Sequence, residues 1–229
     1  MNIAIIPARG GSKRIPRKNI KLFHGKPMIA WSILAAKQAG CFERIIVSTD
    51  DAEIAAVAQK YGAEVPFVRP AEIANDYATT GDVISHAISW LIEQRQTPEQ
   101  VCCLYATAPF VEPEDLCLGL RLLTTNSECQ FAFSATRFGF PIQRAIKLDA
   151  SGQVIMFSPE YLLTRSQDLE EAYHDAGQFY WGRTSAWLNK APIFAAYSKL
   201  VLLPNFRVQD IDTPEDWLRA ERLFALKER

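Results

Sequence analysis

Short apolar runs alternate along this chain with stretches whose apolar residues recur every three or four positions. No other feature limits the possible folds as tightly. "NIAIIPA" at the start, "RIIVSTD", "VCCLYATAP" and "FAFSATR" read as strands, and "AEVPFVRP" as a short further one. Between them, Pro27 opens a helical pattern that Gly40 closes. Ile54, Val57, Ala58 and Tyr61 mark a second helix stopped by Gly62. Val83, Ile84, Ala87, Ile88 and Leu91 mark a third, and Pro113 begins a fourth. Repeated strand–helix–strand units predict an α/β fold: a mostly parallel sheet with right-handed crossovers, flanked by helices. From Phe138 to Asp175 the pattern breaks into short mixed-polarity pieces, which predicts a small subdomain, residues 138–175, inserted in a single domain of residues 1–229. "QFYWGRTSAW" and "KLVLLP" return to the sheet. Thr213 and Pro214 start a last helix, with Trp217, Ala220 and Phe224 inward.

The charge balance is local rather than global. The formal net charge is -1, which argues against a nucleic-acid partner, since that needs a basic face. No apolar run approaches the roughly 20 residues of a bilayer span, and the N-terminus shows no signal-peptide pattern. The five cysteines have no paired Cys-x-x-Cys spacing and read as reduced thiols of a cytoplasmic protein. Yet "IIPARGGSKRIPRKN" packs Arg9, Lys13, Arg14, Arg17 and Lys18 into one loop. By composition alone this would be a solvated basic surface. Its position after the first strand changes that reading, because ligands of open α/β sheets bind beyond the carboxyl ends of strands. Gly10 and Gly11 let backbone N–H groups come close to a ligand, Ser12 adds a donor, and the basic side chains neutralise several negative oxygens. The loop is a polyphosphate cradle, although it matches neither the P-loop nor the dinucleotide fingerprint.

Near the other end, "RVQDIDTPEDW" places Asp210 and Asp212 two residues apart. On an extended chain they face one point. Alone, the pair suits a Mg²⁺ site or a cap for the helix at Pro214 about equally. Beside a phosphate cradle the metal reading leads. Asp50, at the end of "RIIVSTD", reads as the N-cap of the helix that follows.

Pro7 to Asn19 resembles the signature of the acylneuraminate cytidylyltransferase family, whose members activate acidic sugars as CMP conjugates, and the resemblance extends over essentially the whole chain. It implies a Rossmann-like sheet of the nucleotide-diphospho-sugar transferase type, CTP as co-substrate and Mg²⁺ as cofactor. By the same resemblance, Arg9 and Lys18 hold the α-phosphate and the departing pyrophosphate, and Ala8, Gly10, Gly11, Ser12 and Asn19 complete the CTP cradle. The family's metal aspartates fall on Asp210 and Asp212, which makes Asp212 catalytic. Arg69 and Thr80 match residues that contact cytosine, although Arg69 could simply pack before Pro70 and Thr80 could cap a helix.

For the sugar, the resemblance points to Tyr105, Gln143, Arg165 and Tyr180. Tyr105 stands where sialic acid members carry glutamine, and Gln143 where they carry lysine, so a different acidic sugar is implied. Arg165 matches a pocket arginine, with a surface pair to Asp168 or Glu170 as the plainer reading. His174 reads more simply as a packed or surface residue. Phe138, Phe140, Phe179 and Trp181 are either pocket or core. The combination looks most like the members that activate pseudaminic acid, an acidic nine-carbon sugar, for surface or flagellar glycans. N-acetylneuraminate, legionaminate and 3-deoxy-octulosonate are the alternative substrates, and a nucleotide-binding module without chemistry is the rival of another class. The resemblance also implies a homodimer, with residues 138–175 lining the sugar pocket and reaching across to the partner.

Overall fold

In the computed structural model, which describes residues 1–75 and 77–227, the first strand, β1 (Asn2–Pro7), lies deep in the sheet. Two-residue strands β2 (Leu22–Phe23) and β3 (Lys26–Pro27) form a hairpin that leads into α1 (Met28–Ala39). Then come β4 (Arg44–Ser48), α2 (Ala52–Lys60), α3 (Thr80–Glu93), β5 (Gln100–Leu104), α4 (Pro113–Thr125) and β6 (Phe131–Arg137). A second hairpin, β7 (Ile146–Leu148) with β8 (Val154–Met156), precedes the long β9 (Tyr173–Arg183). The chain ends with α5 (Thr184–Leu188), β10 (Ser198–Leu202) and α6 (Pro214–Lys227).

The main sheet has the order β10-β6-β9-β5-β1-β4. Five strands run parallel to one another and β9 runs against both of its neighbours. Its inner strands are buried on both faces. Ile6, Cys102 and Leu104 point into the layer under α1 and α4, whereas Ile3, Ile5, Val101 and Cys103 point into the layer under α3 and α5. That explains why the strands read as unbroken apolar runs. A third cluster seats α6, with Trp217, Ala220 and Phe224 packed on Phe23, Met28 and Phe110.

Two elements differ from the sequence-based reading. Residues 63–70 form no strand. Glu64 makes one bridge to Ile46, and Pro66 and Pro70 lack the N–H donors a ladder needs. Asp51, not Asp50, caps α2, accepting from the N–H groups of Glu53 and Ile54 at 3.0 and 2.9 Å. The mostly parallel sheet expected from the sequence is borne out, with β9 running antiparallel within it.

β9 is also irregular. Phe133 pairs with Tyr180 but Ala135 pairs with Asp175, so residues 176–179 bulge opposite Ser134 alone. The Ser134 hydroxyl stabilises the bulge by accepting from the N–H groups of Gln178 and Phe179 at 3.2 and 3.1 Å, and Gly177 supplies a left-handed φ of 61°. Below the bulge, α4 presses on the strand so closely that a Cβ on Gly119 would sit 2.6 Å from Trp181 Cδ1. Residues 138–172 lie outside the main sheet and expose Phe140, Ile146, Leu148, Val154 and Leu163. Among the described residues no helix is long and apolar enough to cross a membrane.

Candidate active site

The carboxyl ends of β1 and β5 open into one crevice of about 540 Å³. The loop after β1 is tied to the end of β4. Ala8 donates its N–H to the Ser48 carbonyl at 2.9 Å, and Gly10 donates to Asp50 Oδ1 at 2.9 Å. A Cβ on Gly10 would meet Asp51 Oδ2 at 2.8 Å, so the close approach of the loop to Asp51 requires glycine there. Arg17, at a left-handed φ of 55°, turns back to pair with the carboxylates of Asp51 and Glu53. Hydrogen bonding to Asp51 raises the Arg17 pKa, and the reciprocal hydrogen bond holds Asp51 at about 2. Arg17 thus braces the loop and does not line the crevice.

The other basic residues do line it. Arg9, Lys13, Arg14 and Lys18 border the space with Ser12 and Asn19. Arg9 donates to the Asn75 carbonyl at 3.1 Å, and buried Asn19 holds the Arg9 carbonyl at 3.0 Å. Lys18 reaches across to the Ile211 carbonyl at 2.6 Å and Asp212 Oδ1 at 3.2 Å, and Arg14 meets Asp212 Oδ2 at 2.6 Å. The basic loop and Asp212, some two hundred residues apart in sequence, therefore face each other over one space, whereas Asp210 borders a second cavity.

Arg69 forms part of the wall from inside. It is buried, with Nε on Ser48 Oγ at 3.1 Å and a further bond to the Ser48 carbonyl, and burial lowers its pKa to about 10. Thr79 caps α3 in a reciprocal box with Asp82, so the Thr80 hydroxyl is left to meet the Tyr105 hydroxyl at 3.2 Å. Burial pushes Tyr105 up to about 12.

Tyr105 also lines a second cavity, of about 410 Å³, with His174, Asp175, Tyr180 and Asp210. The Tyr180 hydroxyl donates to Asp175 Oδ2, and Gly177 donates to Oδ1 at 2.8 Å. Desolvation, then the charge of Asp212, raises the Asp210 pKa, although the side chain keeps an exposed edge.

A family model described as cytidylyltransferase matches residues 3–216. The chain belongs to the cytidylyltransferase family. It is 48% identical over 225 residues to a pseudaminic acid cytidylyltransferase of Campylobacter jejuni, covering 98% of this chain and 97% of that one. It is 35% identical to a CMP-N,N'-diacetyllegionaminic acid synthase of Legionella pneumophila, covering 99% and 97%. The fold is shared with a solved CMP:2-keto-3-deoxy-manno-octonic acid synthetase complexed with CTP. That match has a TM-score of 0.72 at 17% identity and covers 99% of each chain.

Set against this cytidylyltransferase fold, the sequence-derived residues fall into three groups. Arg9, Ser12, Lys18, Asn19, Arg69, Thr80, Tyr105 and Asp212 border the first cavity, with Ala8, Gly10 and Gly11 contributing backbone at its loop. Tyr180 and Asp210 border the second. Gln143 and Arg165 border neither. Gln143 donates to the Glu170 carbonyl at 3.0 Å, and Arg165 pairs with Asp168 at 2.7 Å, the plainer reading of that residue. Phe179 and Trp181 are core, whereas Phe138 packs against the His174 ring with centroids 4.8 Å apart. Asp175 was not singled out by the sequence, because the bulge that brings it beside Tyr180 interrupts the two-residue period of the strand.

Proposed function

We propose that this cytidylyltransferase activates pseudaminic acid with CTP, giving CMP-pseudaminic acid and pyrophosphate. The observation that carries the reading is the approach of Lys18 and Arg14 to Asp212 across the crevice, which joins the cationic cradle to one member of the acidic pair. The 48% identity to the Campylobacter jejuni enzyme, against 35% to the legionaminic acid synthase, favours that sugar over its relatives.

In the reaction the anomeric hydroxyl oxygen of the sugar bonds to the α-phosphorus of CTP. The bond to the bridging oxygen of the β-phosphate breaks, and the hydroxyl proton passes to solvent. Arg9 and Lys18 neutralise the oxygens of the transferring and leaving groups. Gly10, whose N–H is taken by Asp50, shapes the loop, Gly11 and Ser12 orient the triphosphate, and Arg69 and Thr80 hold the base. The chain acts mainly by alignment and by fixed charge aimed at the transition state.

Asp210 and Asp212 suit Mg²⁺, because both offer only oxygen; partial burial and then the charge of Asp212 raise the Asp210 pKa, a strain a cation would relieve. Bound there, Mg²⁺ would supply further neutralisation of the triphosphate. Homodimerisation belongs to the same reading. Between Phe140 and Leu163 the chain exposes Phe140, Ile146, Leu148, Val154 and Leu163, and a second copy would cover them and carry Gln143 and Arg165 to a neighbouring sugar pocket. The five free thiols are consistent with a reducing cytoplasm.

The test is pyrophosphate release from CTP with pseudaminate, legionaminate, N-acetylneuraminate and 3-deoxy-octulosonate. Pseudaminate should give the highest kcat/KM. A different preferred acid overturns the substrate, and CTP binding without release for any of them overturns the reaction. Asp212→Asn should abolish turnover and leave the fold intact.

A further inference from the structure

The segment that leads to the acidic pair is pinned from three sides. Leu203 donates its N–H to the Ala135 carbonyl at 2.8 Å, and the buried Thr136 hydroxyl meets the Leu203 carbonyl at 2.8 Å and Asn205 Oδ1 at 2.6 Å. Gln178, buried in the bulge of β9, donates from Nε2 to the Arg207 carbonyl at 2.5 Å. The Arg207 guanidinium grips the start of α4. Its Nη1 lies 2.6 Å from Asp115 Oδ2 and 2.8 Å from Glu112 Oε2, and its Nη2 lies 3.3 Å from Asp115 Oδ1. Arg207 and Asp115 keep only 11% and 13% of their side-chain surface. Burying such a pair costs desolvation that the attraction offsets only in good geometry, so it is a poor source of stability and a good source of fixed position. Further along, Ile211 is buried in the cluster that seats α6, which turns Asp210 and Asp212 to the other side of the chain. Among the described residues no side chain hydrogen-bonds to the Asp210 carboxylate, so its place is set by the backbone between Arg207 and Ile211.

We propose that Arg207 is a positioning residue for the cytidylyl transfer: locked to Asp115 and Glu112 and held by Gln178, it fixes the backbone from which Asp210 and Asp212 reach a divalent cation. The inference rests on the proposed function and adds to it the groups that set the metal affinity. Ligands of a metal site must keep their working positions to within about 0.5 Å. Asp212 borders the first cavity and Asp210 the second, so their separation depends on how the chain between and before them is held. Outer groups that orient ligands in this way are typically worth roughly 10–100-fold in metal affinity. Gln178 extends the clamp further. Its carbonyl accepts the Tyr105 N–H at 2.9 Å, so one residue joins the wall shared by both cavities to the segment that bears the acidic pair.

The experiment titrates Mn²⁺ into the full chain saturated with CTP and lacking sugar, read by electron paramagnetic resonance against CTP alone. It also measures the Mg²⁺ activation constant for pyrophosphate release with pseudaminate. Arg207→Met should weaken Mn²⁺ binding and raise the Mg²⁺ constant by roughly ten- to a hundredfold, while KM for CTP at saturating metal stays within about twofold. Arg207→Lys keeps the charge without the two-pronged grip and should fall between wild type and Arg207→Met. Gln178→Met keeps the side-chain volume and the backbone bond to Tyr105 and removes only the donor to Arg207. It should weaken metal binding by roughly three- to tenfold, the worth of one hydrogen bond. A purely structural Arg207 would lower the melting temperature and leave the metal dependence where it was, and that result overturns the inference. If Arg207→Met does not fold, a Gln178→Met enzyme with wild-type metal affinity overturns it by itself. A KM for CTP that rises as far as the metal constant also rejects it, because the clamp would then support the whole crevice. Wild-type dependence on a divalent cation with no shift in the variants rejects this inference alone. Wild-type turnover without any divalent cation rejects the metal part of the proposed function, and this inference with it.

Discussion

Replacing Asp51 by alanine removes three supports of the phosphate-side loop at once: the cap of α2, the ion pair with Arg17, and the carboxylate against which Gly10 rests. The cap is worth about 0.5–2 kcal/mol, and an ion pair to a partly exposed arginine about 0.2–1 kcal/mol. The sum is roughly 1–3 kcal/mol. A second route gives a similar figure. Asp51 is held at about 2 against an ordinary 3.8, a gap of roughly 1.8 pH units, or about 2.4 kcal/mol before solvent screening. Arg17 is 39% exposed, and screening brings that to about 1–2 kcal/mol. The carboxyl is more acidic in the folded chain than in the unfolded one. Its contribution is therefore complete above about pH 4–5 and is lost as pH falls toward 2. Urea unfolding followed by tryptophan fluorescence should place Asp51→Ala about 1.5–2 kcal/mol below wild type at pH 7. The gap should narrow as pH drops from 4 toward 2. Asp51→Asn, which can still cap, should fall between the two. The CTP KM should rise in both variants. A difference under about 0.5 kcal/mol at pH 7, or a gap that does not change with pH, would refute the account of the loop given above.

Gly119→Ala should lower stability by about 1–3 kcal/mol, a fall of roughly 3–10 °C in Tm by calorimetry, because Trp181 is fully buried, stacked on Phe42 and bonded to the Leu116 carbonyl, and cannot withdraw. Thr79→Ala should cost about 1 kcal/mol of stability with CTP KM unchanged, whereas Thr80→Val should leave stability nearly intact and raise KM for CTP or the sugar, which separates capping from binding by steady-state kinetics. Leu163→Asp, on the exposed apolar face, should shift the sedimentation coefficient from dimer toward monomer, and an unchanged value at micromolar protein would remove that face from the interface.

Much of this was legible in the residues, for identifiable reasons. Strands buried on both faces announce themselves as unbroken apolar runs, and the helices carry Pro and Gly at their ends, so α/β alternation and the position of the basic loop could be read directly. The approach of Asp212 to Lys18 could be argued from chemistry, because a cradle for polyphosphate and a pair of carboxylates complete each other. What escaped depends on long-range geometry. Whether Asp50 or Asp51 turns onto the helix, and whether Thr79 or Thr80 takes the cap, is settled by a single peptide's rotation. The direction of β9 depends on where residues 138–172 deliver the chain. Arg17 looked like one more phosphate ligand because composition cannot tell a basic side chain facing a crevice from one folded back onto Asp51 and Glu53. Gln143 and Arg165 matched by motif but lie on a segment whose neighbours in the single chain are its own carbonyls and carboxylates.

The irregularity opposite Ser134 has a consequence for how such an enzyme changes its choice of sugar. The triphosphate loop hangs from β1 and is tied to β4, while Asp175 and Tyr180 hang from β9, and Tyr105 borders both cavities. Residues 173–180 are therefore felt on the nucleotide side through Tyr105, whose N–H donates to the Gln178 carbonyl at 2.9 Å. The fold is built as two trades sharing a wall, and refitting one room moves that wall for the other.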